Sequence, residues 1–172
     1  GDQPPEVAHH GAQSAVWSTP SMTERPSYPA GGPRLELSEV TFVRDGRPIL
    51  APLAWRIGVG EAWVVLGRNG SGKTTLVRIG ALREHPSSGW VEVCGQRLGR
   101  VDIRRLRPRV GFASPAMLDL FRPSLTAEEI VVTARHDALE PWWHRYEEAD
   151  HARAIDLLGR MGVAHTADRP LV

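Results

Sequence analysis

A single cysteine, Cys94, excludes an internal disulfide framework and fits a reducing compartment; its expected role is filler at the end of a strand. No apolar run approaches the roughly 20 residues that span a bilayer. The first residues also lack the basic stretch and apolar core of a secretory signal. Excess charge is missing too: 21 basic residues face 20 acidic ones, a net charge of +1, so nothing calls for a nucleic-acid or acidic partner. His136, His144, His151 and His165 have no metal-ligand spacing and are expected at the surface. What is present is a chain of 172 residues with 41% apolar content, enough for one soluble domain or a large part of one.

Residues 1–33 carry Pro4, Pro5, Pro20, Pro26, Pro29 and Pro33 with Gly31-Gly32 and little apolar periodicity. Such a composition does not offset the entropy of ordering, so a disordered N-terminal arm is expected, with His9-His10 solvated on it. The chain opens on Gly1 rather than Met, so its start is expected to differ from the natural translation start.

The chemistry concentrates in Gly67–Thr75, read as G-R-N-G-S-G-K-T-T after the apolar run Ala62–Leu66. This satisfies G-x-x-x-x-G-K-[ST], the phosphate-binding loop, with a strand pattern before it and a helix pattern after it. Gly67, Gly70 and Gly72 let the backbone take positive φ and wrap a polyphosphate, so that successive N–H groups, those of Arg68, Asn69 and Ser71 included, meet its oxygens. A helix starting near Thr74 adds free N–H groups and the positive end of its dipole. Lys73 brings a flexible point charge to the β/γ-phosphates, the Thr74 hydroxyl is the expected Mg²⁺ ligand, and Thr75 donates toward the α-phosphate. The bland alternative is a Gly-rich strand-to-helix turn that binds nothing.

Upstream, Leu35, Leu37, Val40 and Phe42 suggest a strand with an irregularity at Ser38-Glu39, and Asp45-Gly46 a hairpin turn. Ile49–Leu53 and Trp55–Ile57 read as short extended pieces, so an antiparallel layer precedes the loop. Downstream, Leu76 and Ile79 share a helical face, Pro86–Gly89 ends the helix, and Trp90–Val93 is a strand closed by Gly95. Six arginines between Arg97 and Arg109 suggest a solvated face more than a nucleic-acid contact, since no aromatics interleave them. Arg109–Ala113 reads as a further buried strand. Thr126 and Glu129 form a capping box, with Leu125 and Ile130 as its hydrophobic staple, for a helix over about 127–134. Trp142-Trp143 fits either a docking contact or one ring sealing a helical lobe while the other lies on the surface. Ala154, Leu157, Leu158 and Met161 mark a last helix ending at Gly162.

In this order of marks the chain resembles the ATP-binding subunits and domains of ABC transporters. The resemblance runs from about Leu35 to Val172 and rests on V-V-L-G-R-N-G-S-G-K-T-T-L at 64–76, P-S-S-G at 86–89, V-E-V-C-G at 91–95, V-G-F at 110–112 and L-T-A-E-E at 125–129. The region is most similar to the molybdate-transport-like branch. The resemblance implies an α/β P-loop NTPase fold of the ABC-ATPase type: an antiparallel β subdomain, a partial RecA-like core and a helical subdomain over about 118–163. It implies ATP and Mg²⁺ as cofactors, a second ATP-binding domain dimerising across ATP, a transmembrane transporter subunit as partner, no nucleic acid, and a cytoplasmic location peripheral to the inner face of the membrane.

Three departures stand out. Where the family stacks an aromatic residue on adenine, this chain aligns Arg44, whose guanidinium also stacks on a base. Where the family has its Q-loop glutamine, the chain reads Ala113-Ser114-Pro115, with Ser114 a partial substitute or the coupling differently arranged. The signature segment, the acidic strand with its Mg²⁺-binding Asp and catalytic Glu, and the switch His would all follow Val172. The chain therefore reads as the N-terminal half of an ATPase domain, expected to be inactive alone. Two alternatives remain at this point: a non-catalytic nucleotide-sensing module, and a small-molecule kinase using the same loop.

Overall fold

The structure, a computed structural model, describes the backbone of residues 7–9 and the whole of residues 32–171. It divides into two compact units, 1–106 and 107–172. In the first, β2 (Leu35–Arg44) and β3 (Arg47–Ile57) form a hairpin, and β5 (Ser88–Val93) and β6 (Gln96–Arg97) extend it into an antiparallel sheet ordered β3-β2-β5-β6. A second, two-stranded sheet pairs β4 (Trp63–Val65) with β1 (Val7–His9). Helix α1 (Lys73–Gly80) follows β4, and α2 (Ile103–Leu106) follows β6.

The hairpin follows from its turn chemistry. Asp45 and Gly46 both take positive φ, 51° and 74°, the conformation that matches the twist of the flanking strands. The expected irregularity at Ser38-Glu39 is a bulge: pairing passes from Leu37↔Trp55 to Val40↔Leu53, with Glu39 at φ 50°. The bulge keeps Leu37, Val40 and Phe42 on the inward face, where Leu50, Val91 and Val93 join them. Gly89 on β5 lies against the bulge with φ +80°, and a Cβ there would sit 2.3 Å from the Glu39 carbonyl oxygen.

Helix α1 closes this core with Leu76 and Ile79, both fully buried. Its C-terminus is a Schellman ending: the Arg83 N–H donates to the Arg78 carbonyl at 2.8 Å and the Leu82 N–H to that of Ile79 at 3.0 Å. Leu82 occupies the left-handed position, at φ 60°, that glycine usually fills. Its side chain is fully buried, and that apolar burial offsets the backbone cost of about 1–2 kcal/mol.

The second unit is helical. Its main helices are α3 (Ala127–Thr133) and α4 (Glu148–Arg160), joined by short 3-10 turns and packed through Leu125, Val132, Ala154 and Leu158. The Thr126/Glu129 capping box forms as read: Glu129 N–H donates to Thr126 Oγ1 at 3.2 Å and Thr126 N–H to Glu129 Oε2 at 2.8 Å. Gly162 ends α4 at φ 76°, and the Val163 N–H reaches the Leu158 carbonyl at 2.9 Å. The backbone of 167–171 returns to α3, with Ala127 N–H donating to the Arg169 carbonyl and Glu128 N–H to that of Ala167.

Several expectations are corrected. The two extended pieces at 49–57 are one strand, because β3 is an edge strand and Pro52 needs no outward ladder bond there. Arg109–Ala113 is not a strand: Arg107–Arg109 is a 3-10 turn and no described strand pairs with the segment, so its apolar pattern has no ladder to join. Within the arm read as disordered, Val7–His9 is a strand antiparallel to Trp63–Val65, taking up backbone groups at the edge of β4. The rest of that arm up to residue 31, His10 included, lies outside the described residues. Both Trp142 and Trp143 are exposed, at 57% and 60%, so neither ring seals the lobe. Met161, placed on the buried face of the last helix, is 79% exposed at its cap. Among the described residues no helix is long and apolar enough to cross a membrane.

Gly89→Ala is expected to lower folding stability by about 1–3 kcal/mol, because the left-handed backbone and the Glu39 carbonyl both oppose a Cβ. Urea denaturation measures it; an unchanged midpoint would show that the bulge relaxes freely.

Candidate functional site

The loop at 67–75 is held from three sides. Before it, the turn into β4 is closed by Glu61, whose Oε2 accepts from the Gly58 N–H at 2.8 Å and from Trp63 Nε1 at 2.9 Å. Trp63 also meets Trp55 of β3 edge to face, with ring centroids 6.1 Å apart, which ties β4 to the antiparallel sheet. After it, Gly72 caps α1 in the left-handed conformation, φ 84°, with the Leu76 N–H donating to its carbonyl at 2.8 Å. Beside it, β3 presses in: a Cβ on Gly72 would lie 2.5 Å from Leu50 Cδ2 and 2.9 Å from the Ile49 carbonyl oxygen. Gly72 is thus required twice, for its φ and for the close approach. Gly70 also has positive φ, 83°, but open space around it.

The result is a cavity of about 390 Å³ lined by Arg44, Ile49 and the run 69–75. The structure therefore gathers Asn69, Gly70, Ser71, Gly72, Lys73, Thr74, Thr75 and Arg44 at one place, while Gly67 and Arg68 form the back of the loop. Lys73 Nζ donates to the carbonyls of Gly67 at 2.8 Å and Arg68 at 2.7 Å, so the ammonium lies folded across the loop. Ser71 Oγ is buried and has no hydrogen-bond partner among the described residues. A buried hydroxyl of this kind costs free energy unless something bonds to it. α1 has no acidic residue in its first turn and Arg78 in its last, so its dipole is left positive at the loop end. The donor set, amide N–H groups, hydroxyls and one ammonium, suits an oxyanion, and the Thr74 hydroxyl is a hard oxygen ligand of the type Mg²⁺ takes.

Arg44 Nη2 donates to Glu84 Oε2 at 3.1 Å, and its Cζ lies 5.2 Å from the Phe42 ring centroid. A second cavity of about 490 Å³ adjoins this side chain, lined by Arg44, Asp45, Arg47 and Ile49. Ile49, Leu50 and Glu84 carry no motif and escape a reading of the sequence; only their placement beside Gly72 and Arg44 marks them.

His136, His144, His151 and His165 belong to the helical unit. His136 and His144 stack with centroids 4.3 Å apart, and His151 Nδ1 meets Glu128 Oε1 at 2.6 Å. Burial, then the charges of His144 and Arg135, hold the His136 imidazole below the ordinary histidine range. Among the described residues no cluster of His, Cys, Asp or Glu forms a metal site.

A loop of this geometry between a strand and a helix defines a P-loop nucleotide-binding fold. The chain matches the ABC transporter family over residues 50–172, and it belongs to that family. A putative ABC transporter ATP-binding protein of Streptococcus mutans is 30% identical over 135 residues, 78% of this chain and 52% of that protein. The ABC transporter ATP-binding protein ModF of Escherichia coli is also 30% identical, over 67% of this chain and 24% of its own length. A solved ATP-binding cassette of an ABC transporter in its ADP conformation superposes over 81% of this chain and 57% of its own, with a TM-score of 0.55 at 18% identity, which establishes the fold. The chain spans about half the length of several curated relatives it matches, and about a quarter of ModF.

Gly72→Ala is expected to destabilise the chain more than Gly70→Ala, which meets only backbone strain of about 1 kcal/mol. Paired thermal melts decide it; equal losses would mean that β3 does not press on the loop.

Proposed function

We propose that this chain binds MgATP through the loop at 67–75, as the N-terminal half of an ABC transporter ATP-binding component. The observation that carries the reading is the cavity at the start of α1, where Gly72 is pinned by Ile49 and Leu50 and Ser71 Oγ is buried without a partner among the described residues. Backbone N–H groups of the loop and of the first turn of α1 would bind the β- and γ-phosphates. Ser71 Oγ would gain its missing bond there. Lys73 would exchange two neutral carbonyl acceptors for charged phosphate oxygens, and charge-assisted bonds of that kind are roughly twice as strong. Thr74 would hold Mg²⁺, which when bound neutralises charge that builds on the phosphates, while Thr75 donates toward the α-phosphate. Arg44, at the rim of the same cavity, would carry the base by stacking.

For the whole protein we propose hydrolysis coupled to transport, a second ATP-binding domain across the nucleotide, a transmembrane subunit docked on the helical unit, and a cytoplasmic site at the inner face of the membrane. The ATP-binding names of the relatives and the fold support this reading. The helical-subdomain assignment at about 118–163 belongs to the same proposal.

The isolated chain is expected to bind MgATP weakly and to turn it over at no significant rate, since phosphoryl transfer also needs a group that orients water and the loop at 67–75 supplies none. Lys73→Ala is expected to weaken binding at least tenfold, removing charge-assisted bonds of about 1.5–3 kcal/mol. Calorimetric titration and a phosphate-release assay check both. Binding indifferent to Lys73→Ala would overturn the loop assignment, and robust Mg²⁺-dependent hydrolysis lost in that variant would overturn the inactive-half reading.

A further inference from the structure

Glu84 has no motif to announce it, yet one of its oxygens serves two arginines from different parts of the first unit. Oε2 accepts from Arg44 Nη2 at 3.1 Å and lies 3.9 Å from Arg78 Nε. Arg44 ends β2, and Arg78 lies on α1, the helix whose start forms the phosphate loop. The Schellman ending of α1 sets where Glu84 falls: with Leu82 buried in the left-handed position, the chain reverses and delivers Glu84 to the hairpin side of the helix. The carboxylate is three-quarters covered, with 25% of its side chain exposed, while Arg44 keeps 56%.

The guanidinium is a plane with two faces. On one side its Cζ lies over the Phe42 ring, itself buried, 5.2 Å from the centroid. An edge is taken by Glu84. The face opposite Phe42 is the one left for another ring, and Arg44 and Ile49 line both the loop cavity and the adjoining cavity of about 490 Å³, a size within the range of small-molecule sites. A long arginine side chain loses rotamer entropy when it stacks, and a platform already fixed on one face and one edge has lost it beforehand.

We propose that Glu84 is a positioning residue for nucleotide binding: it fixes Arg44 as a flat cationic platform for a purine and, through Arg78, holds that platform at a set distance from the phosphate loop. This rests on the phosphate-loop reading above. Because every purine presents a π-face to a guanidinium, the platform accepts adenine and guanine alike.

The test uses the full chain and two probes, inorganic tripolyphosphate for the loop alone and ATP for loop plus base, each with Mg²⁺. The readout is the ratio of their dissociation constants, which cancels the general effect of removing a negative charge. Glu84→Ala is expected to shift the ratio against ATP by about two- to fivefold, the size of an exposed cation–π contact. Glu84→Gln, which keeps an oxygen acceptor, should recover part of the loss. Arg44→Lys should cause the same shift as Glu84→Ala, and adding Glu84→Ala to it should change the ratio no further. GTP should show a wild-type ratio within about twofold of that for ATP. An unchanged ratio in Glu84→Ala, or independent, additive losses in the double variant, would overturn the positioning role. Where either of those results comes from a chain that binds tripolyphosphate, only this inference falls; if the wild-type chain binds neither probe, the loop reading falls and takes this one with it.

Discussion

The approach of Gly72 to the Ile49 carbonyl and the Leu50 side chain is the constraint on which the first unit turns. It is a contact that a Cβ would fill, at 2.9 Å from the Ile49 carbonyl oxygen and 2.5 Å from Leu50 Cδ2, and it welds the start of α1 to the edge strand of the antiparallel sheet. Leu50 is itself buried, so the loop does not rest on a yielding surface. With that end fixed, α1 packs on β2 and β5, and its Leu76 and Ile79 are buried together with Leu37, Val40 and Val91 of those strands. The free N–H groups of its first turn then point where the cavity lies, and the loop's arrangement follows from hydrophobic burial elsewhere rather than from its own sparse contacts.

The same sheet sets the neighbourhood of Arg44. The two-residue turn at Asp45-Gly46 ends β2 immediately after that residue, and the bulge at Ser38-Glu39 keeps Phe42 on the buried side beneath it. A shift of one residue in register would turn Phe42 outward and leave the guanidinium with nothing to lie on. Local backbone devices thus place two cavities side by side, with Arg44 and Ile49 lining both. Neither device is chemical in itself, yet each decides which chemistry the rim presents.

What was legible in the sequence were features whose cause is local. The P-loop pattern, Asp45-Gly46, the Thr126/Glu129 box and Gly162 each encode a φ sign or a reciprocal hydrogen bond within a few residues. What escaped depends on partners distant in the chain. Pro52 reads as a break until the strand is known to lie at an edge. Arg109–Ala113 has the composition of a buried strand, yet composition supplies no neighbour for its backbone. Leu82 occupies a position where glycine is the usual sign, and Glu84 meets Arg44 across 40 residues of sequence. In the site the loop was legible because a left-handed backbone and a close approach demand unusual residues; its supports, Ile49, Leu50 and Glu84, are ordinary residues made significant by position.

The central claim is that the backbone amides around Gly72 receive phosphate oxygens. The most direct measurement is an amide-resolved NMR titration of the chain with MgATP. The account predicts large, saturable shifts at Gly70, Ser71, Gly72, Lys73 and Thr74, with smaller ones at Arg44 and small or none in α4. Shifts absent from those loop amides at saturating nucleotide, or confined to the helical unit, would contradict it.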